Sequence, residues 1–300
     1  MAHVGDDMAA INAKGGPLAW FDKNPTLDVI SPELQQLLKS YSGIQQDVIS
    51  PELQQLLKSY SGIQQDELLD HVVKIREEAW KIHPYPCIGQ FLFLENNFGE
   101  NDEEYKEVIQ RLGKGQKLLD MACCVGQTIR TLVHGGAPSE NTFGCDLYPE
   151  FIELGYELFR DHRTLKTQFL TADVFDPSSA LTEIRGQMDM IFAGDFFHLW
   201  GYEKQVEVCK IVFALLRPQS GSMILGRQFG AADPEEKQGP VGVGMMFRHN
   251  VESFEKMWRD IGDELGIRIT VKAKYVFVPD RQQLFCQDNG KRFSFVVRRD

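Results

Sequence analysis

From Lys117 onward, short apolar runs alternate with amphipathic segments of helical period, and this alternation constrains the chain more than any other feature. Strand-like runs fall at 117–122, 142–146, 167–171, 188–193 and 222–226; helix-like segments fall at 127–134, 149–160, 178–184 and 203–216. A strand that returns through a helix enters the next strand in the same direction, so the repeated unit predicts an α/β fold with a parallel sheet covered on both faces. Downstream, 251–265 reads as a helix, and 267–276 and 292–298 as two strands that close the sheet's edge.

The segment before this pattern is organised differently. DVISPELQQLLKSYSGIQQ occurs at Asp28–Gln46 and recurs unchanged at Asp47–Gln65. Two copies are too few for a stacked solenoid. Each reads as one helix, with Ser31 or Ser50 as N-cap, Pro32 or Pro51 at the first helical position and Gly43 or Gly62 as the stop. The second copy runs into the amphipathic DELLDHVVKIREEAW and is expected to pack natively, leaving the first as the spare. Pro84 and Pro86 are expected to hold HPYPCIGQFLFL extended, and a further helix is expected at 103–112. The expected organisation is thus a flexible 1–27, a helical extension over 28–112 and one large domain over 113–300.

Bulk properties exclude several functions. Within 300 residues, no window approaches the roughly 18 continuous apolar residues of a membrane span, and the first residues lack a secretory signal, so a cytoplasmic protein is expected. A formal net charge of −11 repels a phosphate backbone, which argues against a nucleic-acid partner. Lys291, Arg292, Arg298 and Arg299 read as solvated strand ends. Six cysteines without a CxxC pair fit neither a metal centre nor a disulfide framework, and no metal is expected. A homodimer is allowed.

The chemistry concentrates between Lys117 and Leu147. An apolar strand ends at Asp120, and the small-residue turn Ala122-Cys123-Cys124-Val125-Gly126 leads into a helix near Gln127, where ligands of open α/β sheets sit. The turn lacks GxGxxG, so a cofactor without phosphates fits better than a dinucleotide. Asp146 ends the second strand, where a carboxylate can accept hydrogen bonds from a ribose diol. Asp173 follows the third and can reach an exocyclic adenine amine. An acid at the end of each of three successive strands is the pattern expected around a cationic, nucleoside-bearing sulfonium.

YPCIGQFLFL (85–94), LLDMACCVGQ (118–127), GAPSENTFGCDLYPEFIELGYELFRD (136–161), ADVFD (172–176), FFHLW (196–200) and ILGRQ (224–228) together resemble the fungal secondary-metabolite methyltransferases, especially the carboxyl O-methyltransferases of meroterpenoid pathways. The resemblance covers the chain from about Asp47. It implies a class I, Rossmann-like methyltransferase fold, a seven-stranded sheet whose last strand is antiparallel, and an N-terminal helical lid. It further implies S-adenosyl-L-methionine as cofactor, with S-adenosyl-L-homocysteine as product. Asp146 with Leu147 and Asp173 with Val174 would be cofactor-binding pairs, and Asp120, Ala122, Cys124, Gly126 and Gln127 the methionine end. Asp195 and Phe196 complete the cofactor set. Ala122 stands where the family pattern has glycine: its methyl group is harmless at negative φ and crowds the cofactor at positive φ.

For the acceptor, a carboxylate is already ionised at neutral pH and requires no base, whereas a phenol profits from one. His198 is the best-placed ionisable group, either a base or positioning residue or a histidine packed under its aromatic neighbours. Arg227 and Gln228 could clamp an acceptor carboxylate, with a structural ion pair as the rival reading of Arg227. Met246 and Arg248 could line an apolar wall for a bulky terpenoid, and Trp80, Tyr85 and Gln90 could close it from the N-terminal side. The expected activity is methyl transfer to an oxygen of a hydrophobic meroterpenoid or polyketide-type small molecule. Transfer to a phenol, carbon or nitrogen, a recruited cyclase or isomerase, and a non-catalytic binding protein are the alternatives.

Overall fold

A computed structural model describes residues 50–83, 85–89, 91–95, 103–239, 244–277 and 289–300. The first copy of the repeat and Gln90 lie outside the described residues. The described residues form two compact units, those up to Glu95 with Glu157–Arg160, and those from Glu103 to Tyr156 with Asp161–Asp300.

In the first unit the second repeat copy forms helix α1 (Pro51–Ser59). Ser50 caps it, its Oγ accepting from Leu53 N–H at 3.2 Å, and Pro51 opens it, where a missing N–H costs nothing. Gly62, at φ +68°, turns the chain out as Ile63 N–H returns to the Leu57 carbonyl at 3.1 Å, so the glycine supplies the left-handed residue that the stop requires. Helix α2 (Leu68–Ile82) buries Leu68, Val72, Ile75 and Ala79 at helical spacing. Within the same unit the His71 ring bonds the Leu158 carbonyl, and Arg160 pairs with Glu67. The extended segment expected after Trp80 is instead broken by one helical turn, α3 (Pro86–Gly89), and a 3-10 turn (Leu92–Leu94). Pro86 sits at the first position of its turn, the one helical place a proline tolerates.

The second unit carries the βα alternation. After α4 (Glu103–Gly113) come β1 (Leu118–Met121), α5 (Gln127–His134), β2 (Thr142–Asp146), α6 (Pro149–Phe159), β3 (Gln168–Thr171), β4 (Met190–Gly194), α7 (Tyr202–Phe213) and β5 (Met223–Ala231). A hairpin of β6 (Glu235–Gln238) and β7 (Met245–Arg248) precedes α8 (Val251–Leu265), β8 (Ile269–Tyr275) and β9 (Gly290–Arg299). The expected helix at 178–184 is a 3-10 turn, Ala180–Ile184.

The seven-stranded sheet runs β3-β2-β1-β4-β5-β9-β8, with β1 to β5 parallel and β9 antiparallel to both neighbours. Alternate residues feed its two faces. Leu118, Met190, Phe192, Met223 and Leu225 pack with Val108 and Leu112 of α4 and Leu132 of α5. Leu119, Ile191, Ile224, Phe293, Phe295 and Val297 pack with Val208 and Val212 of α7 and Phe254 and Trp258 of α8. The strand order reverses between β1 and β4, and in open α/β sheets ligands bind beyond the carboxyl ends of the strands at such a point.

Gly155 of α6 packs so closely on the turn after β1 that a Cβ there would run into the Val125 carbonyl. Gly155→Ala is expected to destabilise the protein by about 1–3 kcal/mol despite alanine's better helix propensity, as read by chemical denaturation; an unchanged midpoint would show that α6 yields.

Candidate active site

Three residues of the turn after β1 adopt left-handed backbone: Ala122 at φ +56°, Cys124 at +50° and Gly126 at +63°. The angle at Ala122 is therefore positive, and its side chain is exposed. Such angles persist in non-glycine residues only where the surroundings dictate them. Cys123 N–H donates to the Cys145 carbonyl at 2.9 Å, Cys124 N–H to Asp146 Oδ2 at 2.8 Å, and Gly126 N–H to the Cys123 carbonyl at 2.7 Å. Beneath the turn lies a pair that the sequence analysis did not find. Arg130, wholly buried, donates from Nε and Nη2 to Asp161 at 2.9 and 3.0 Å and from Nη1 to the Val125 carbonyl at 2.8 Å. Its guanidinium stacks on Tyr156 and Phe169. Arg130 sits on the apolar stripe of α5 beside Ile129 and is the one cue the sequence offers; its partner is 31 residues away.

Asp120 is buried and its Oδ2 lacks a hydrogen-bond partner among the described residues. Burial, reinforced by the nearby Asp146 charge, pushes its carboxyl well above the ordinary range. A buried acid so placed is satisfied by an arriving cation. Burial also raises Asp146, opposed by backbone N–H groups of Tyr148, Cys124 and Leu147. Gln127 opens α5, buried, with Oε1 lacking a hydrogen-bond partner among the described residues. Leu147 stands exposed beside Asp146. Asp173 is exposed after β3, where Oδ1 accepts from Phe175 N–H at 2.9 Å, and Val174 next to it packs on the core. The first three strands thus end in acids, one of them orphaned, around a turn without a phosphate cradle, and these residues fit a cationic nucleoside cofactor.

The ends of β4 and β5 carry a different set. Asp195, at φ +50°, donates its N–H to the Arg227 carbonyl at 2.7 Å and pairs through Oδ2 with Arg292 of β9. Burial disfavours its charge, yet Arg292, His198 and Arg227 outweigh this and hold its carboxyl below the usual range. Arg292 is thus buried rather than a solvated strand end, because β9 inserts between β5 and β8 and sets it opposite Phe229. Arg248 stacks on Phe229, 4.7 Å from the ring centroid, and lies 3.6 Å from Glu235. The His198 ring is 6.4 Å from Phe229. Burial takes His198 down to about 4 against the opposing pull of Asp195, so its imidazole is neutral at pH 7. Phe196 packs edge-on against Phe197 and Trp200.

Arg227 and Gln228 do not act together. Successive residues of β5 face opposite sides, and Gln228, opposite Phe293, points into the apolar layer under α8 with neither amide atom hydrogen-bonded among the described residues. Met246 is buried while Met245 is exposed. Gln205 of α7, also missed, donates from Nε2 to the Trp200 and Phe247 carbonyls, both at 2.7 Å, and ties the β6–β7 hairpin to the loop after β4. Trp80 and Tyr85 belong to the first unit. Among the described residues, no cluster of acids, histidines and cysteines could hold a metal ion, and no helix is long and apolar enough to cross a membrane.

Ala122→Gly removes a methyl group from a left-handed residue and is expected to stabilise the protein by about 1 kcal/mol and to tighten S-adenosylhomocysteine binding, measured by denaturation and calorimetry. His249, buried among aromatic rings with Nδ1 on Ser253 Oγ, is lowered by burial from 6.5 to about 4. A base depressed by folding binds its proton first in the unfolded chain, so its contribution is lost as pH falls from about 6.5 toward 4. Between pH 7 and 5, His249→Phe should therefore lose about 2 kcal/mol less stability than the parent. Parallel pH profiles would contradict the buried neutral ring.

The chain is similar to known methyltransferases over most of its length. Residues 45–94 match the meroterpenoid methyltransferase N-terminal domain, and 118–219 match a methyltransferase domain. O-methyltransferase atr3 of Stereocaulon alpinum is 41% identical over 291 residues, 96% of this chain and 77% of that protein. O-methyltransferase phiE of a fungal species is 41% identical over 209 residues, 69% of each. The asnovolin E/chermesin D methyltransferase nvfJ of Aspergillus novofumigatus is 37% identical over 207 residues, 69% of this chain and 74% of that one. Among solved structures, Haemonchus contortus phosphoethanolamine N-methyltransferase 2 gives a TM-score of 0.46 at 16% identity over 75% of this chain and 59% of that one, a likeness too distant to carry weight. The chain belongs to the fungal meroterpenoid methyltransferase family and is an S-adenosylmethionine-dependent O-methyltransferase of the class I fold.

Proposed function

We propose that the oxygen methylated is a carboxylate of a hydrophobic meroterpenoid or polyketide-type small molecule, giving a methyl ester. The observation that carries this reading is the polar cluster past β4, where the two groups placed to take a proton, His198 and Asp195, are both held low. An imidazole at about 4 is a poor base for a phenol near 10, whereas a carboxylate arrives ionised. The names of the relatives, two O-methyltransferases and an asnovolin E/chermesin D methyltransferase, support an oxygen acceptor on a secondary metabolite.

When bound, S-adenosylmethionine supplies an electrophilic methyl group on a sulfonium. The chain's own residues hold and align. Asp120 and the turn from Ala122 to Gln127 would take the methionine end, Asp146 with Leu147 the ribose, and Asp173 with Val174 the adenine. Asp146 would serve twice, since Oδ2 receives Cys124 N–H and Oδ1 receives Tyr148 N–H, which keep the turn in shape, while each carboxylate oxygen can accept a second hydrogen bond. Phe196, Phe229 and Met246 exclude water and offer an apolar surface, so the principal catalytic contribution is proximity and alignment. A helical extension over 28–112 before a catalytic domain over 113–300, and a cytoplasmic site of action, complete the proposal.

Incubating the full chain with methyl-labelled cofactor and a fungal metabolite extract is expected to yield labelled methyl esters that mild alkali cleaves. Alkali-stable labelled ethers would instead make the acceptor a phenol. Asp146→Ala should weaken S-adenosylhomocysteine binding by about 1.5–3 kcal/mol in calorimetry, and unchanged affinity would misplace the ribose site.

A further inference from the structure

The loop after β4 carries two polar atoms that the rest of the protein does not serve. Asp195 Oδ1 and His198 Nδ1 are shielded and have no hydrogen-bond partner among the described residues, so they do not bond each other either. They stand three residues apart around the 3-10 turn Phe197–Leu199, at the carboxyl end of β4 and beside the point where the strand order reverses. His198 is more than nine-tenths buried. Leaving such groups unpaired is costly, so each requires an account. Asp195 is held in its direction by left-handed backbone, which aspartate tolerates better than most residues, by its N–H on the Arg227 carbonyl, and by Oδ2 on Arg292. Oδ1 is thus the unused face of a charged carboxylate. With 38% of the side chain exposed, that carboxylate stands at the edge of the packed region rather than deep inside it.

Charge and hydrogen-bond type decide what satisfies both atoms. A charged carboxylate only accepts, so an anion cannot serve Asp195 Oδ1. A cation would serve it, but Arg292 and Arg227 act on Asp195, and Arg292 and Arg248 on His198, closely enough to repel one. Those guanidiniums are not the missing donors: Arg292 is engaged with Asp195, and Arg248 with Phe229 and Glu235. A neutral group that both donates and accepts remains. Its O–H donates to Asp195 Oδ1, and its oxygen accepts from the Nδ1–H of a neutral His198.

We infer that Asp195 Oδ1 and His198 Nδ1 form a recognition site for a hydroxyl group of the acceptor at the carboxyl end of β4. The assignment to the acceptor rests on the reading above of a hydrophobic acid that reacts at its carboxylate, and it narrows that class to hydroxylated hydrophobic acids. The hydroxyl is held and not methylated, so Asp195 and His198 bind and position without transferring a proton. Water offers the same donor and acceptor and is the rival occupant.

The test is calorimetry on the full chain saturated with S-adenosylhomocysteine, using 1-acetylnaphthalene and the secondary alcohol of the same skeleton, two neutral probes that differ in one O–H donor. The parent should bind the alcohol about tenfold more tightly, because the ketone leaves Asp195 Oδ1 unpaired. Asp195→Asn keeps an oxygen for Arg292 and turns its amide nitrogen toward the probe, so it should reverse the order in favour of the ketone. His198→Asn places an amide nitrogen where Nδ1 stood and should retain the alcohol's affinity, whereas His198→Gln does not and should lose about tenfold. A merely structural pair would neither reverse the order nor tell Asn from Gln. If Asp195→Asn folds poorly, the two histidine variants decide alone. Equal binding of both probes by the parent would leave water as the occupant and overturn the site, as would equal losses in the two histidine variants. A matching loss of S-adenosylhomocysteine affinity in His198→Gln would assign the hydroxyl to the cofactor instead. Labelled methyl esters from a protein with no alcohol preference would keep the ester reading and sink this site; an alcohol preference in a protein that makes only alkali-stable ethers would do the reverse.

Discussion

The buried ion pair of Arg130 and Asp161 holds the turn after β1 in shape. Removing two charges from water costs several kcal/mol per ion after relaxation, and only good geometry with further hydrogen bonds compensates. Here the contact is bidentate, the remaining nitrogen reaches the Val125 carbonyl, and Tyr156 and Phe169 stack on the cation. The arrangement therefore bears on backbone as much as on charge. It pins from below a turn in which Ala122, Cys124 and Gly126 are left-handed, while Asp146 pins Cys124 from the side. A strained turn held at Cys124 and Val125 has little left to reorganise.

Strand order explains why the opposite end of the sheet's rim differs in charge. Had the last two strands added in sequence, the strand holding Arg292 would have formed the edge of the sheet. Insertion of β9 beside β5 places Arg292 across from Phe229 and within reach of Asp195. The hairpin of β6 and β7, tied down by Gln205, then brings Arg248 over the same ring. Each cation comes from a different element, and none is adjacent to another in sequence. The result is a rim with acids after the first three strands and guanidiniums near Asp195 and Phe229.

Much of this architecture was legible in the residues. The helix at 127–134, the strand at 142–146 and the helix at 251–265 coincide with the observed elements, because apolar period follows directly from which face meets the core. The capped helix of the second repeat was legible for a similar reason, since Ser50, Pro51 and Gly62 act on their own backbone. Harder cases were those in which a local rule has two outcomes. Pro86 excludes a helix interior but not a helix start, and 178–184 contains enough helical character for a 3-10 turn and no more.

Local chemistry therefore determined the βα alternation, the phosphate-free turn and the acids that follow the first three strands, because each depends on neighbours a few residues away. Tertiary structure alone decided the positive φ at Ala122, the burial of Arg292, the separation of Gln228 from Arg227 and the pairing of Arg130 with Asp161. These depend on strand order, register and packing across tens of residues. A side chain's charge is written in the sequence, but the medium and the partner that give that charge its energy exist only once distant strands have met.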